Sequence, residues 1–105
     1  MAIAEITVDE LADLLATGAR LIDVREPAEF DEAHVPGAVL VPLGTVPDRV
    51  VAFRGDGPTY VICRSGARSM KVCELVAAHG IDAVNVAGGT MAWVTSGREY
   101  ATGAA

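Results

Sequence analysis

One segment of the chain places a cysteine between a strand-like run and a helix-like run. The apolar residues 60–62 precede Cys63 directly, and helical spacing begins a few residues after it. In open α/β sheets, ligands bind beyond the carboxyl ends of the strands, where loop amides and a helix N-terminus can face one anionic atom. We expect a cysteine at such a position to have a lowered pKa, and the thiolate is the nucleophilic form of the side chain.

The loop after Cys63 supports this interpretation. It consists of Arg64, Ser65, Gly66, Ala67 and Arg68. A glycine lets a short loop curl without a steric penalty at Cβ, and nearby arginines favour a thiolate. The sequence therefore predicts an activated thiolate in a cradle that binds an anion. The alternative is a buried cysteine that ends a strand as a small hydrophobic residue.

Strand-like and helix-like segments alternate along the chain. Short β-branched runs at 21–24, 38–41, 59–62 and 83–86 predict strands that are buried on both faces. Helices are predicted from a capping box at Thr7–Glu10 to Gly18, over 28–33 after Pro27, over 46–53 with Pro47 at the start, and over 69–79. This order predicts one α/β domain with a largely parallel sheet, a core at about 5–96 and a flexible tail at 97–105.

Length and charge exclude several classes of protein. The 105 residues are enough for a single domain, and the hydrophobic share of 51% is enough for a core. The formal net charge of −6 leaves no surplus of cations for binding nucleic acid. No apolar stretch is long enough to span a membrane, and no signal peptide is visible before Glu5. Two cysteines without a secretory signal favour a reducing compartment, so we expect a cytoplasmic protein.

Four segments, in order, resemble the rhodanese family of sulfurtransferases. Residues 21–30 are similar to its Asp-Val-Arg-Glu segment and residues 33–38 to its Gly-His-Ile-Pro-Gly-Ala segment. Residues 60–69 resemble its cysteine loop, and residues 86–93 its closing Gly-Gly and Trp. The departures are small: Ala33 replaces a common glycine and Val35 a common isoleucine.

The resemblance implies a three-layer fold in which helices flank a five-stranded parallel sheet. It also implies that Cys63 carries sulfur as a persulfide, taken from a small anionic donor such as thiosulfate and passed to cyanide, a thiol or a protein acceptor. Loop amides from Arg64 to Arg68 would stabilise the persulfide, as oxyanion-hole donors stabilise oxygen. Neither a metal nor an organic cofactor is implied, and the oligomeric state is left open.

Two other functions use the same fold. Phosphatases and arsenate reductases of related architecture have five residues between cysteine and arginine, whereas four separate Cys63 from Arg68, which favours sulfur transfer. A binding or regulatory module usually lacks the cysteine, and this chain has it. Two loop arginines favour an anionic donor such as thiosulfate over mercaptopyruvate.

The remaining polar residues receive supporting roles. Asp23 and Arg25, at the end of a strand, are expected to brace the loop, with a surface ion pair as the alternative. The ring of His34 is expected to form a hydrogen bond with the backbone of a turn, and Trp93 is expected to be a packing residue. Cys73, on an apolar helix face, is expected to be inert, with a resolving cysteine as the alternative. The acidic cluster of Glu26, Glu29, Asp31 and Glu32 is expected to be a solvated face, with a docking patch for a basic acceptor protein as the alternative.

Overall fold

The computed structural model describes residues 2–103 and contains five strands and four α-helices. The strands are β1 (Glu5–Ile6), β2 (Arg20–Asp23), β3 (Val39–Leu40), β4 (Thr59–Ile62) and β5 (Ala83–Val86). The α-helices are α1 (Val8–Ala16), α2 (Pro27–Glu32), α3 (Ala67–Ala77) and α4 (Gly89–Thr95). Two 3₁₀ helices, Leu43–Asp48 and Val50–Phe53, connect β3 to β4.

The strands form one parallel sheet in the order β1-β5-β4-β2-β3. This confirms the five-stranded parallel sheet flanked by helices. β4 is the central strand, and its four residues are all buried, as expected for a strand that is covered on both faces. Cys63 therefore directly follows the carboxyl end of the central strand, which is buried on both faces.

Two apolar layers cover the sheet. On one face, α3 and the 3₁₀ helices pack with Ile22, Val61 and Cys63. On the other face, Leu11 of α1 and Trp93 of α4 pack with Tyr60 and Ile62. The alternation along β4 assigns neighbouring residues to opposite layers, so a cysteine after Ile62 faces α3.

The capping box that starts α1 is confirmed, since Thr7 Oγ1 accepts from Glu10 N at 3.1 Å and Glu10 Oε1 accepts from Thr7 N at 3.0 Å.

The helix predicted over 46–53 is wrong: two 3₁₀ helices occupy this region, and Pro47 lies inside the first. Proline removes one hydrogen bond and clashes with the preceding turn, which prevents a continuous α-helix there. α3 begins at Ala67, two residues before the predicted start at Ser69.

The segment after residue 96 was expected to be a flexible tail, but its described part is attached to the domain. His34 and Ala101 exchange backbone hydrogen bonds of 2.9 and 2.8 Å, and Gly103 N donates to Asp31 O at 2.8 Å. Trp93 Nε1 also donates to the carbonyl of Glu99 at 2.9 Å. Residues 104 and 105 of the predicted tail lie outside the described residues. Over residues 2–103, no helix is long and apolar enough to cross a membrane.

Candidate active site

Cys63 lies at the end of β4 with its sulfur inside the turn that starts α3. Its side chain is only 1% exposed, and it packs in the apolar layer under α3. Gly66 N donates to Cys63 Sγ at 3.1 Å, and Ser69 Oγ lies 3.2 Å from the same sulfur. The cysteine is thus both a core residue, as the alternative interpretation held, and the centre of a set of hydrogen-bond donors.

The pKa of the Cys63 thiol depends on the balance between its burial and these hydrogen-bond donors. Burial alone would raise it, because a thiolate loses hydration in an apolar layer. Hydrogen bonds from the Ser69 hydroxyl and from the Ser69, Gly66 and Ser65 amides outweigh burial, and the pKa falls below its ordinary value. The direction of the predicted shift is confirmed, but the main cause is hydrogen bonding rather than the two arginines.

Two glycines allow the backbone to close around the sulfur. Gly66 caps α3 with φ of 110°, in the left-handed region that side chains rarely adopt. Gly89 starts α4 with φ of 60°, and a Cβ there would lie 2.4 Å from the Cys63 carbonyl oxygen. This close approach lets Thr90 N donate to Cys63 O at 2.9 Å and Met91 N donate to Arg64 O at 3.0 Å. The N-terminus of α4 therefore fixes the backbone of the cysteine loop.

The two loop arginines have different environments. Arg68 belongs to α3, and its guanidinium donates to both carboxylate oxygens of Glu29, at 2.8 and 2.9 Å. This pair lowers the pKa of Glu29 to about 2. The hydrogen bonds to Glu29 are also the main cause that raises the pKa of Arg68, and the charge of Cys63 adds a smaller contribution in the same direction. Arg64, in contrast, is exposed at the start of the loop. The expected solvated face holds for Glu26, Asp31 and Glu32, which are exposed, but not for Glu29, which pairs with Arg68.

Asp23 and Arg25 were expected to brace the loop, and their side-chain hydrogen bonds reach it only indirectly, through α2. Arg25 donates to both carboxylate oxygens of the buried Asp23, at distances of 2.9 to 3.1 Å. Its other donors contact carbonyls at the end of α2, at Glu29 (3.3 Å) and Ala33 (2.7 Å). The pair is buried rather than on the surface, and it fixes α2, whose Glu29 in turn holds Arg68.

A second polar group, absent from the sequence interpretation, lies behind the sulfur. Ser69 Oγ is 2.5 Å from Asn85 Oδ1, and Asn85 Nδ2 donates to Glu5 Oε2 at 2.8 Å and to Gly66 O at 3.1 Å. Asn85 is buried in β5. The signal that could have found it is its type, since an amide in the otherwise apolar run 83–86 needs polar partners when the strand is buried.

Cys73 and His34 lie in structural positions. Cys73 is fully buried on α3, and burial followed by the charges of Cys63, Glu5 and Glu74 raises its pKa to about 12. His34 Nδ1 lies 2.8 Å from the carbonyl of Phe30, and its ring stacks on the Phe30 ring at 3.6 Å. His34 is therefore satisfied by helix backbone rather than by the predicted turn.

An open cavity of about 210 Å³ borders the loop. Its lining includes Arg25, Glu29, Arg64, Thr90 and Met91. Thr90 Oγ1 is buried beside it and lacks a hydrogen-bond partner among the described residues. A larger cavity of about 340 Å³, lined by residues 53–57 and 80–82, lies before β4 and β5 and thus at the opposite end of the sheet from Cys63. Within residues 2–103, no group of three His, Cys, Asp or Glu side chains could hold a metal ion.

Comparisons with known proteins agree with this architecture. The sequence model of the family described as the rhodanese-like domain matches residues 7–96 of this chain. The Bacillus subtilis protein YtwF is 40% identical over 95 residues, which cover 89% of this chain and 92% of that protein. The Arabidopsis thaliana chloroplast protein named thiosulfate sulfurtransferase 16 is 32% identical and covers 90% of this chain and 89% of its own length. A crystal structure of a Staphylococcus aureus rhodanese-like domain protein superposes with a TM-score of 0.81 at 41% identity, covering 87% of this chain and 91% of that one.

Proposed function

The chain belongs to the rhodanese-like family, and we propose that it is a thiosulfate sulfurtransferase that works through a persulfide on Cys63. The observation that carries this proposal is the set of donors around the sulfur. Gly66 N and the Ser69 hydroxyl lie within 3.2 Å of Cys63 Sγ. Such donors stabilise negative charge on the atom that attacks and leaves in sulfur transfer.

In the first half-reaction, the Cys63 thiolate attacks the outer sulfur of thiosulfate. A bond forms between Sγ and that sulfur, the sulfur–sulfur bond of the donor breaks, and sulfite leaves with the electron pair. The product is a persulfide whose terminal sulfur carries one negative charge. Because the hydrogen bonds to Sγ lower the pKa of Cys63, they increase its thiolate fraction, and the scheme assigns no general base to this step.

In the second half-reaction, an acceptor nucleophile attacks the terminal sulfur. Cyanide gives thiocyanate and a thiolate acceptor gives a new persulfide, while the electron pair of the broken bond returns to Cys63. The scheme uses only covalent chemistry of the cysteine and needs no cofactor.

The choice of an anionic donor is supported by the cavity beside the loop. The exposed Arg64 supplies a positive charge there, while Glu29 and Glu32 of the same lining carry negative charges and Arg68 pairs with Glu29. Arg68 contributes less to this charge than its place in the sequence suggests, because Glu29 neutralises it. A relative that is named a thiosulfate sulfurtransferase further favours thiosulfate as the donor.

The test is steady-state thiocyanate formation from thiosulfate and cyanide. We expect parallel lines in double-reciprocal plots, as for a substituted-enzyme mechanism, and a loss of at least about a thousandfold in Cys63→Ser. Cys73→Ser is the matched control, since it replaces the other cysteine by the same residue, and it should retain activity in the folded protein. Turnover of a phosphate ester with no thiocyanate formed would instead show a phosphatase, and absence of both reactions would show a binding module.

A further inference from the structure

The hydroxyl of Ser69 has one hydrogen to donate and three acceptors within reach: Asn85 Oδ1 at 2.5 Å, Cys63 Sγ at 3.2 Å and the Gly66 carbonyl oxygen at 3.3 Å. Both hydrogens of Asn85 Nδ2 are used, one by Glu5 Oε2 at 2.8 Å and one by Gly66 O at 3.1 Å. Since a carboxylate and a carbonyl can only accept, these two partners fix the orientation of the amide. Asn85 Oδ1 must then face Ser69 and can only accept the hydroxyl proton of that residue.

The protonation state of Cys63 determines where this proton goes. While the sulfur is a thiol, S–H can donate to Ser69 Oγ and Ser69 can donate to Asn85 Oδ1 at 2.5 Å, so every group is satisfied. Once Sγ is a thiolate, it accepts rather than donates, and the Ser69 hydroxyl is within reach at 3.2 Å. Of the three acceptors, only the sulfur gains a charge, and a charged acceptor forms the stronger hydrogen bond, so the hydroxyl turns from Asn85 to the sulfur.

We propose that Asn85, held by Glu5, is a positioning residue for Cys63 and controls the Ser69 proton. Asn85 Oδ1 accepts the hydrogen bond of the Ser69 hydroxyl while Sγ is protonated or bonded to a transferred sulfur, and the hydroxyl donates to Sγ instead when Sγ becomes anionic. In the scheme above, Sγ is anionic when it attacks the donor and again when it leaves the acceptor product. The proposal deepens that scheme and rests on Cys63 being its nucleophile.

The Glu5 carboxylate determines the strength of the hydrogen bond that Asn85 Oδ1 accepts from the Ser69 hydroxyl. Glu5 and Asn85 are partners across β1 and β5, and a charged acceptor on Nδ2 polarises the amide so that Oδ1 becomes the stronger acceptor. Glu5 therefore opposes the turn of Ser69 toward the sulfur. Gln at this position keeps an acceptor for Nδ2 and removes only the charge.

Other charged and titratable groups surround Cys63, and they are unchanged by this substitution. Arg68 and Cys73 on α3 interact with Cys63 through charge. Asp23, on the neighbouring strand β2, is paired with Arg25. Arg64 follows Cys63 in the loop and is exposed.

The test is the pH dependence of Cys63 alkylation by iodoacetamide, located by peptide mapping. At pH 6, Ser69→Ala should slow alkylation by about tenfold, because the thiolate loses one hydrogen bond to a charged group. Glu5→Gln should accelerate it by about twofold. In the Ser69→Ala background, Glu5→Gln should have no effect, because the proton that Asn85 controls is gone.

The matched control is Glu74→Gln, which removes an exposed carboxylate near Cys73 on α3. It should leave alkylation of Cys63 unchanged. An equal acceleration in Glu74→Gln, or the same effect of Glu5→Gln with and without Ser69, would show an effect of charge through space and overturn the proposal. No acceleration in Glu5→Gln would overturn it as well. Ser69→Thr, which keeps the hydroxyl, should restore the rate if Ser69→Ala lowers it without unfolding.

Alkylation needs no sulfur donor, so this result is independent of the proposed function. Wild-type and variant proteins that alkylate as expected but form no thiocyanate would refute the sulfurtransferase alone. Proteins that form thiocyanate but show no coupling between Glu5 and Ser69 would refute the positioning role alone.

Discussion

Two regions of the molecule hold a cysteine under the same apolar layer and give it opposite chemistry. Cys63 is 1% exposed at the strand end, and Cys73 is 0% exposed inside α3. Both belong to one cluster of core residues. The pKa of Cys63 is lowered, whereas that of Cys73 is raised to about 12.

The difference lies in hydrogen-bond donors and not in burial. Amides inside a helix donate to carbonyls of the preceding turn, so those near Cys73 are occupied. The amides of the turn at Cys63 precede the helix and have no such partners, and Gly66 N donates to Sγ instead. Burial penalises a charged sulfur in both places, and only the turn compensates for that penalty.

The largest expected contrast is in alkylation rate. At pH 7 a pKa of about 12 leaves Cys73 with at least about a thousandfold less thiolate than Cys63. We expect iodoacetamide to modify Cys63 already near pH 6 and to leave Cys73 unmodified in the folded protein, as read by peptide mapping. An alkylation rate of Cys63 that rises only above about pH 8 would show that Cys63 is an ordinary thiol, which would contradict the difference from Cys73.

A side chain added at Gly89, whose backbone touches the cysteine loop, should lower activity, whereas one added at Gly97, away from the loop, should not. Gly89→Ala would place Cβ 2.4 Å from the Cys63 carbonyl at a φ of 60°, so the loop must move. We expect thiocyanate formation to fall by about a hundredfold, because a small displacement of the reacting group is costly. Gly97→Ala is the control, since its φ is 82° but open space surrounds it, and it should affect only stability. Equal losses of activity in both variants would contradict the role of α4 in fixing the loop.

The ion pair between Glu29 and Arg68 gives the Cys63 region a pH dependence of its own. The pKa of Glu29 is lowered to about 2, so the pair stabilises the folded state fully above the ordinary carboxyl range near 4.5. That contribution is lost as pH falls toward 2. Because both side chains are about one-third exposed, Glu29→Gln should lower the free energy of unfolding at pH 7 by only about 1 kcal/mol.

Chemical denaturation at several pH values checks this prediction. The difference between wild type and Glu29→Gln should shrink progressively below about pH 4.5. Glu32→Gln, an exposed neighbour on the same helix, is the matched control and should show no such trend. A difference that is independent of pH would mean that the pair does not contribute through its charge.

The order of elements and the position of Cys63 could be predicted from local sequence signals. Capping residues at Thr7 and Glu10 and the apolar run at 59–62 act over a few residues, so they can be recognised without the fold. β1 could not, since two residues carry no periodicity and the strand is defined by pairing with β5. The 3₁₀ helices could not be distinguished from an α-helix, because proline is also typical of the first turn of an α-helix, whereas Pro47 lies inside a 3₁₀ helix.

The partners of the cysteine loop could not be predicted, because they come from distant parts of the chain. Arg68 meets Glu29 across 39 residues, and Asn85 meets Glu5 across 80. The charge pattern in the sequence favours Arg68 as a partner of the sulfur, whereas in the fold its guanidinium donates to the Glu29 carboxylate. Only the short-range contacts of Gly66 and Ser69 lie within the reach of a sequence argument.

The most direct test of the central claim is the intact mass of the protein after brief incubation with thiosulfate. Our account predicts a gain of one sulfur atom, about 32 Da, in wild type and in Cys73→Ser, its removal by cyanide, and no gain in Cys63→Ser. A gain that persists in Cys63→Ser, or no gain in wild type with a demonstrably free Cys63 thiol, would contradict transfer from thiosulfate through this cysteine.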